Sequence, residues 1–240
     1  NGMTRAQSNV VGVAVLLGIA VISMAALTAA VGGLVQHNAA SADAARVATA
    51  LDDALEPVET TGQHSDTVRF TSGRLSTVDR EIRILDGSGV RATVDVGGLS
   101  FEAGDRRVSY VGDAIVRRSG GSAWLHDGPP ITAAPDGDVF VASIARLNTS
   151  NVGVGGTGET TVTVRTRVTH NRTALGTGSF GIAVETATPG PLERWFRERN
   201  ATVSRRDFDG DGTESVVGRF PGNRTGYLVV HDMHAEVTGG

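Results

Sequence analysis

Apolar and polar positions divide the chain into two regimes that meet near residue 60. From Val10 to Val35 the sequence reads VVGVAVLLGIAVISMAALTAAVGGLV, 26 consecutive residues without a charge, a His, an Asn or a Gln. A helix of that length rises roughly 39 Å, which covers a hydrocarbon core of about 30 Å with room to tilt. Only a helix or a closed barrel satisfies its backbone in lipid, and one segment cannot close a barrel. The pattern therefore predicts a helix that is dry on every side, in a membrane or in an equally dry place.

The helical pattern continues past Val35 and changes character. Residues 39–56, AASADAARVATALDDALE, are Ala-rich and amphipathic. Ala44, Val47, Leu51, Ala54 and Val58 recur at steps of three and four, whereas Asp43, Arg46 and Asp52 fall elsewhere. Pro57 ends the pattern, because proline lacks the amide and disfavours helix in the residue before it. The expected helix over 6–56 is far longer than an anchor needs. It is also rich in small residues (Gly12, Gly18, Ser23, Gly32, Gly33 and many alanines), which let helix backbones approach closely. An ordinary single-pass anchor with a helical stalk fits the same pattern. Arg5 is the only charge ahead of the apolar run, so the charge rule places the N-terminus inside and residues 38–240 outside.

Beyond a linker over 57–66 the period falls to two. Alternation predicts strands at Thr67–Thr71, Arg74–Val78, Glu81–Asp86, Val90–Val96, Arg107–Val111 and Ala114–Arg118. Longer ones follow at Asp138–Asn148, Thr160–His170, Ser179–Thr188 and Tyr227–Val237. Gly87-Ser88-Gly89 and Gly112-Asp113 mark hairpins, and Trp124-Leu125 leads into an Asp127-Gly-Pro-Pro loop. One helix interrupts them at Pro191–Asn200, with Leu192, Trp195 and Phe196 on its apolar face. The fold class expected is α+β: a long hydrophobic helix, then a mainly antiparallel, sandwich-like head over 67–240 with one short helix.

Composition removes several chemistries. The 240 residues contain no Cys, so disulfides, thiol catalysis and Cys-ligated zinc are excluded. The net charge of −4, without a basic stripe, gives no reason to expect nucleic acid. Four of the eight asparagines, Asn148, Asn171, Asn200 and Asn223, stand in N-x-[ST] acceptor sequences, which suit an exported region.

The start of the chain resembles a known family. Thr4-Arg5-Ala6-Gln7-Ser8-Asn9-Val10-Val11-Gly12-Val13 looks like the processing site and helix start of archaeal type IV pilins and archaellins, the haloarchaeal ones in particular. In that family a basic residue precedes the cleavage point, a short polar stretch with Ser follows, and a Val/Ile-Gly-Val run opens the helix. The family often has Pro where Asn9 stands, and a longer leader than Asn1–Arg5. The resemblance implies cleavage between Arg5 and Ala6 by a prepilin peptidase and export by a pilus assembly machinery. It also implies a helix that leaves the membrane to form the core of a helical filament of identical subunits. Val10, Val11, Gly12, Val13, Leu16, Leu17, Gly18, Ile19, Ile22, Leu27 and Leu34 would then be assembly residues. The alternatives are a minor pilin of the same architecture, or a membrane-anchored surface protein that never polymerises. Residues 198–231 also resemble the C-terminal part of haloarchaeal pilin-like secreted proteins of unassigned role.

Few motifs point to chemistry. Asp207-Phe-Asp209-Gly-Asp211-Gly212 fits the first half of a calcium loop, but Gly218 stands where the bidentate Glu is due. Its two readings are a Ca²⁺ site and an acidic turn closed by Asx hydrogen bonds. Gly153–Gly158 and Gly176–Gly181 match G-x-G-x-x-G, and both read as hairpin loops because neither opens a helix after a strand. His231 and His234, three apart in a predicted strand, point to opposite faces. No nucleophile elbow or metalloprotease motif is present, so no enzyme and no further cofactor are expected.

Overall fold

A computed structural model describes residues 4–55, 60–134 and 137–239; the side chains of residues 4–14, 34 and 36 lie outside that description. Two compact units are distinguished, residues 1–39 and 40–240. The first consists of the apolar part of helix α1, which runs Thr4–Leu55. Glu56, Pro57 and Val58, where the sequence ends the helix, lie outside the described residues.

The second unit is built from the end of α1, strands in three sheets and one short helix. The first sheet joins β1 (Gly62–Phe70), β12 (Thr160–Gly178), β16 (Arg224–Asp232), β10 (Val139–Arg146) and β9 (Ile131–Thr132), with β17 (Glu236–Gly239) also on β12. The second runs β11 (Gly153–Gly156), β2 (Gly73–Val78), β5 (Gly98–Ala103), β6 (Arg106–Val111), β7 (Ala114–Ser119), β8 (Ser122–Asp127). The third runs β14 (Thr202–Arg206), β15 (Ser215–Arg219), β13 (Gly181–Glu185), β3 (Glu81–Asp86), β4 (Gly89–Asp95). The strand pairs are antiparallel except β10 with β16, which is parallel. That pairing joins segments separated by β11 to β15, a connection no local pattern announces.

Turn chemistry sets the hairpins. At the β6–β7 turn Gly112 and Asp113 both have positive φ, 55° and 77°, the geometry a two-residue turn needs to match strand twist. A Cβ on Gly112 would also sit 2.2 Å from Ile82 Cδ1, so the position is closed to side chains on two counts. At the β3–β4 turn the Asp86 carboxylate accepts from the Ser88 amide at 2.7 Å and its hydroxyl at 2.6 Å.

Two cores result. In the first, Ala44, Val47, Ala48, Leu51, Ala54 and Leu55 of α1 pack with Val68, Phe70, Leu75, Phe101, Tyr110, Val164 and Val237. The Phe70 and Phe101 rings lie 5.0 Å apart at their centroids. In the second, Ile84, Phe140, Phe180, Ile182 and Phe220 meet Leu192, Trp195 and Phe196 of helix α2 (Pro189–Glu198). This helix docks through the face its spacing predicts. Phe196 lies so close to Gly218 that a Cβ there would meet its ring at 2.4 Å.

Several expectations need correction. Asp43, assigned to the polar side of the helix, is fully buried. One carboxylate oxygen accepts from the Thr71 amide (3.0 Å), the Thr71 hydroxyl (2.6 Å) and the Ser72 amide (3.1 Å); the other faces Arg46 at 3.4 Å. A short Asp fits here because a loop brings it donors. Strand β1 begins at Gly62, inside the expected linker, and the compact unit takes in the helix from Ala40. The Tyr227–Val237 segment is two strands, broken where His234 takes φ 40°. Gly153–Gly156 is an edge strand on β2 rather than a loop.

Candidate assembly interface

The first part of α1 is apolar around its whole circumference. One turn takes 3.6 residues, so Val15, Leu16, Leu17, Ile19, Val21, Ile22, Met24, Leu27, Val31 and Val35 point in all directions about the axis. All ten are exposed, from 51% at Val31 to 71% at Met24, and none of the most apolar 18-residue window is buried. Its mean hydropathy of 2.3 makes α1 long and apolar enough to cross a membrane. A helix apolar on every side belongs in a core or in lipid. Covering ten such side chains at roughly 1.5–3 kcal/mol each amounts to on the order of 20 kcal/mol. Gly18, Gly32 and Gly33 have nothing within 4 Å of where a Cβ would be, so each leaves a notch that a neighbouring helix could enter. Of the remaining assembly residues named from the sequence, Leu16, Leu17, Ile19, Ile22 and Leu27 are among the exposed ones. Arg5, Ala6, Val10, Val11, Gly12, Val13 and Leu34 have side chains outside the described residues.

The acidic loop takes the form of a closed turn. Asp207 accepts from the amides of Asp209 (3.2 Å), Gly210 (2.7 Å) and Gly212 (3.1 Å), and these bonds hold its carboxyl below the usual range. Asp209 turns to Arg83 at 2.5 Å, and Asp211 accepts from the Thr213 amide at 2.7 Å. The three carboxylates thus serve separate partners. Among the described residues no group of three or more His, Asp or Glu side chains is placed to hold a metal ion.

The four sequons fall at unlike places. Asn171 lies exposed on β12, Asn200 just after α2 with φ 59°, and Asn223 in the exposed turn before β16. Asn148 is exposed too, but its amide nitrogen donates to Asp232 at 3.0 Å and lies 3.1 Å from His234 Nδ1.

The structure also gathers residues the sequence left scattered. His170 and His231 are register partners on β12 and β16, with their Nδ1 atoms 2.7 Å apart. Nε2 of His231 lies 2.5 Å from Ser143 Oγ on β10. No local spacing could reveal this row, because its members stand 61 and 88 residues apart.

Residues 5–236 match the model of DUF7289, a family of unknown function. No curated protein and no solved structure matches the chain.

Proposed function

The chain belongs to the DUF7289 family, and we propose that it is a structural subunit of an extracellular, type IV pilus-like filament. The apolar part of α1 would first hold the chain in the membrane and then pass into a core of identical helices. The head over 60–239 would stay outside, exposed for adhesion or surface contact and glycosylated at Asn171, Asn200 or Asn223. The observation that carries this reading is the apolar stretch Val15–Val35, exposed all round, in the same helix whose last turns are packed in the head. The resemblance around Arg5-Ala6 supports it. Repeated burial of about 25 cal/mol per Å² of apolar surface would drive assembly, and the small residues would set the distance between helices.

The reading is tested by electron microscopy and mass spectrometry of filaments sheared from the cell surface. The expected result is this chain in filaments with a mature start at Ala6. A chain found at the surface with Arg5 still attached, and never in filaments, would instead be a non-polymerising anchored protein. The length and hydropathy of the same helix suit that second reading.

A further inference from the structure

Ser143, His231 and His170 form a hydrogen-bonded row across three neighbouring strands, and assembly makes no use of it. Phe140, Ala142 and Ile144 of β10 and Leu228 of β16 point into the second core, so Ser143 and His231 lie on the opposite face. His231 sits in the middle of the row and is 6% exposed. Its Nε2 faces Ser143 Oγ at 2.5 Å and its Nδ1 faces His170 Nδ1 at 2.7 Å. The two contacts are coupled through the tautomer, since a neutral imidazole has one donor and one acceptor nitrogen. When the Ser143 hydroxyl donates to Nε2, the His231 proton must sit on Nδ1 and be donated to His170. That state is a serine on its base, with the base oriented by a third group. Ser143 also lines a cavity of about 400 Å³ whose other walls include Pro130, Thr132, Trp195 and Arg199. The Arg199 guanidinium lies over the Trp195 ring at 3.8 Å, which sets a cation beside an aromatic ring, and Asp127 adds an acid to the lining.

We infer that Ser143 is the nucleophile of a hydrolytic site for small carboxylic esters, with His231 as its base and His170 as its positioning residue. Ser143 Oγ attacks the ester carbonyl carbon while its proton passes to His231 Nε2. The carbonyl re-forms, the C–O bond to the alcohol breaks, and the departing oxygen takes that proton. Water then repeats the sequence on the acyl-serine, its proton going to His231 Nε2 and back to Ser143 Oγ as the acid leaves. No oxidant, reductant or metal is needed. His170 accepts from Nδ1–H and stabilises the imidazolium formed in each half-reaction. The acyl group would lie in that cavity against Trp195 and Pro130.

The test treats the intact chain in detergent with a fluorophosphonate probe and maps the adduct by peptide mass spectrometry, alongside hydrolysis of p-nitrophenyl butyrate. The expected outcome is one adduct at Ser143, with hydrolysis lost in Ser143→Ala. His231→Asn should slow labelling by roughly 10²–10⁴-fold, the usual worth of a general base. His170→Gln, at an exposed position, should keep the fold and move the pH midpoint of the labelling rate. Absence of an adduct at Ser143 in chain with native near-ultraviolet circular dichroism overturns the inference. So does labelling of the wild type at a rate that is flat from about pH 5 to 8, the range over which a histidine base gains and loses its proton. Neither outcome bears on filament assembly, which is read from the N-terminal helix.

Discussion

Residues 15–35 and residues 43–55 belong to one α-helix, yet the first stretch exposes Leu16, Ile22 and Met24 while the second buries Val47, Leu51 and Leu55. The backbone is the same in both, and so is the wealth of alanine. What differs is the period of the apolar positions. In 43–55 they fall on one face that a sheet can cover, and the opposite face carries Arg46 and Asp53 into water. In 15–35 they fall everywhere, so no single sheet could cover them. Helix propensity thus fixes the backbone, and periodicity decides how many partners the helix must find.

The comparison breaks most sharply under one substitution made twice. Leu51→Asp puts an unpaired charge in the first core and should cost the head at least about 4 kcal/mol, enough to unfold a marginal domain. Leu17→Asp should leave the head's urea midpoint unchanged. If the stretch spans a membrane, the substitution should instead make insertion less complete, because Asp at the centre of a spanning helix costs about 2.5–3.5 kcal/mol. A head destabilised equally by both would erase the distinction between the stretches.

A smaller effect is expected at Asp43, which ties the buried stretch to the loop after β1. Asp43→Ala strands two backbone amides and the Thr71 hydroxyl, and should lower unfolding free energy by roughly 2–3 kcal/mol. Asp43→Asn should recover part of it. Denaturant titration of the two variants side by side measures the difference, and an unchanged midpoint in Asp43→Ala would mean that packing alone holds the stretch.

The smallest effect sets the floor against which both stretches are read. The amides of Gly210 and Gly212 lower the Asp207 pKa on folding, so its contribution is present above the ordinary carboxylate value of 3.8 and is lost as pH falls below it. Asp207→Asn should lower stability at neutral pH, and the loss should shrink as pH falls below 3.8, which flattens the acid limb. A loss that is the same at pH 3 and pH 7 would show that the turn, and not its charge, matters. Adding Ca²⁺ to the wild type should leave its midpoint unmoved if the three carboxylates keep their separate partners.

Local features of the head were legible in advance and distant ones were not. The Gly87-Ser88 hairpin, the Gly112-Asp113 turn and the docking face of α2 all follow from residues within about ten positions of each other. The parallel pairing of β10 with β16 joins residues 86 apart in chain order, and β5, which opens on Gly98, is a strand that the alternation does not pick out. Asp43 misled for a related reason. Its polarity is local, but Thr71 and Ser72, which make its burial tolerable, come from 28 and 29 residues away. The row of Ser143, His231 and His170 is the extreme case, since each member is unremarkable in its own strand.

The first core has one further consequence, for the order in which the molecule is made. Its members run from Ala44 to Val237, nearly the whole length of the head. Strand β12 needs β1 on one side and β16 and β17, the last strands, on the other. Contacts of such sequence separation form slowly, because loop closure is paid before they reward it. The helix end at Val47–Leu55 is among the first parts of the head to be synthesised and among the last to be covered. During synthesis it must therefore wait, apolar face open, until the final strand has arrived. A chain cut short before Glu236 would lack that strand, and it would present the waiting face to proteases.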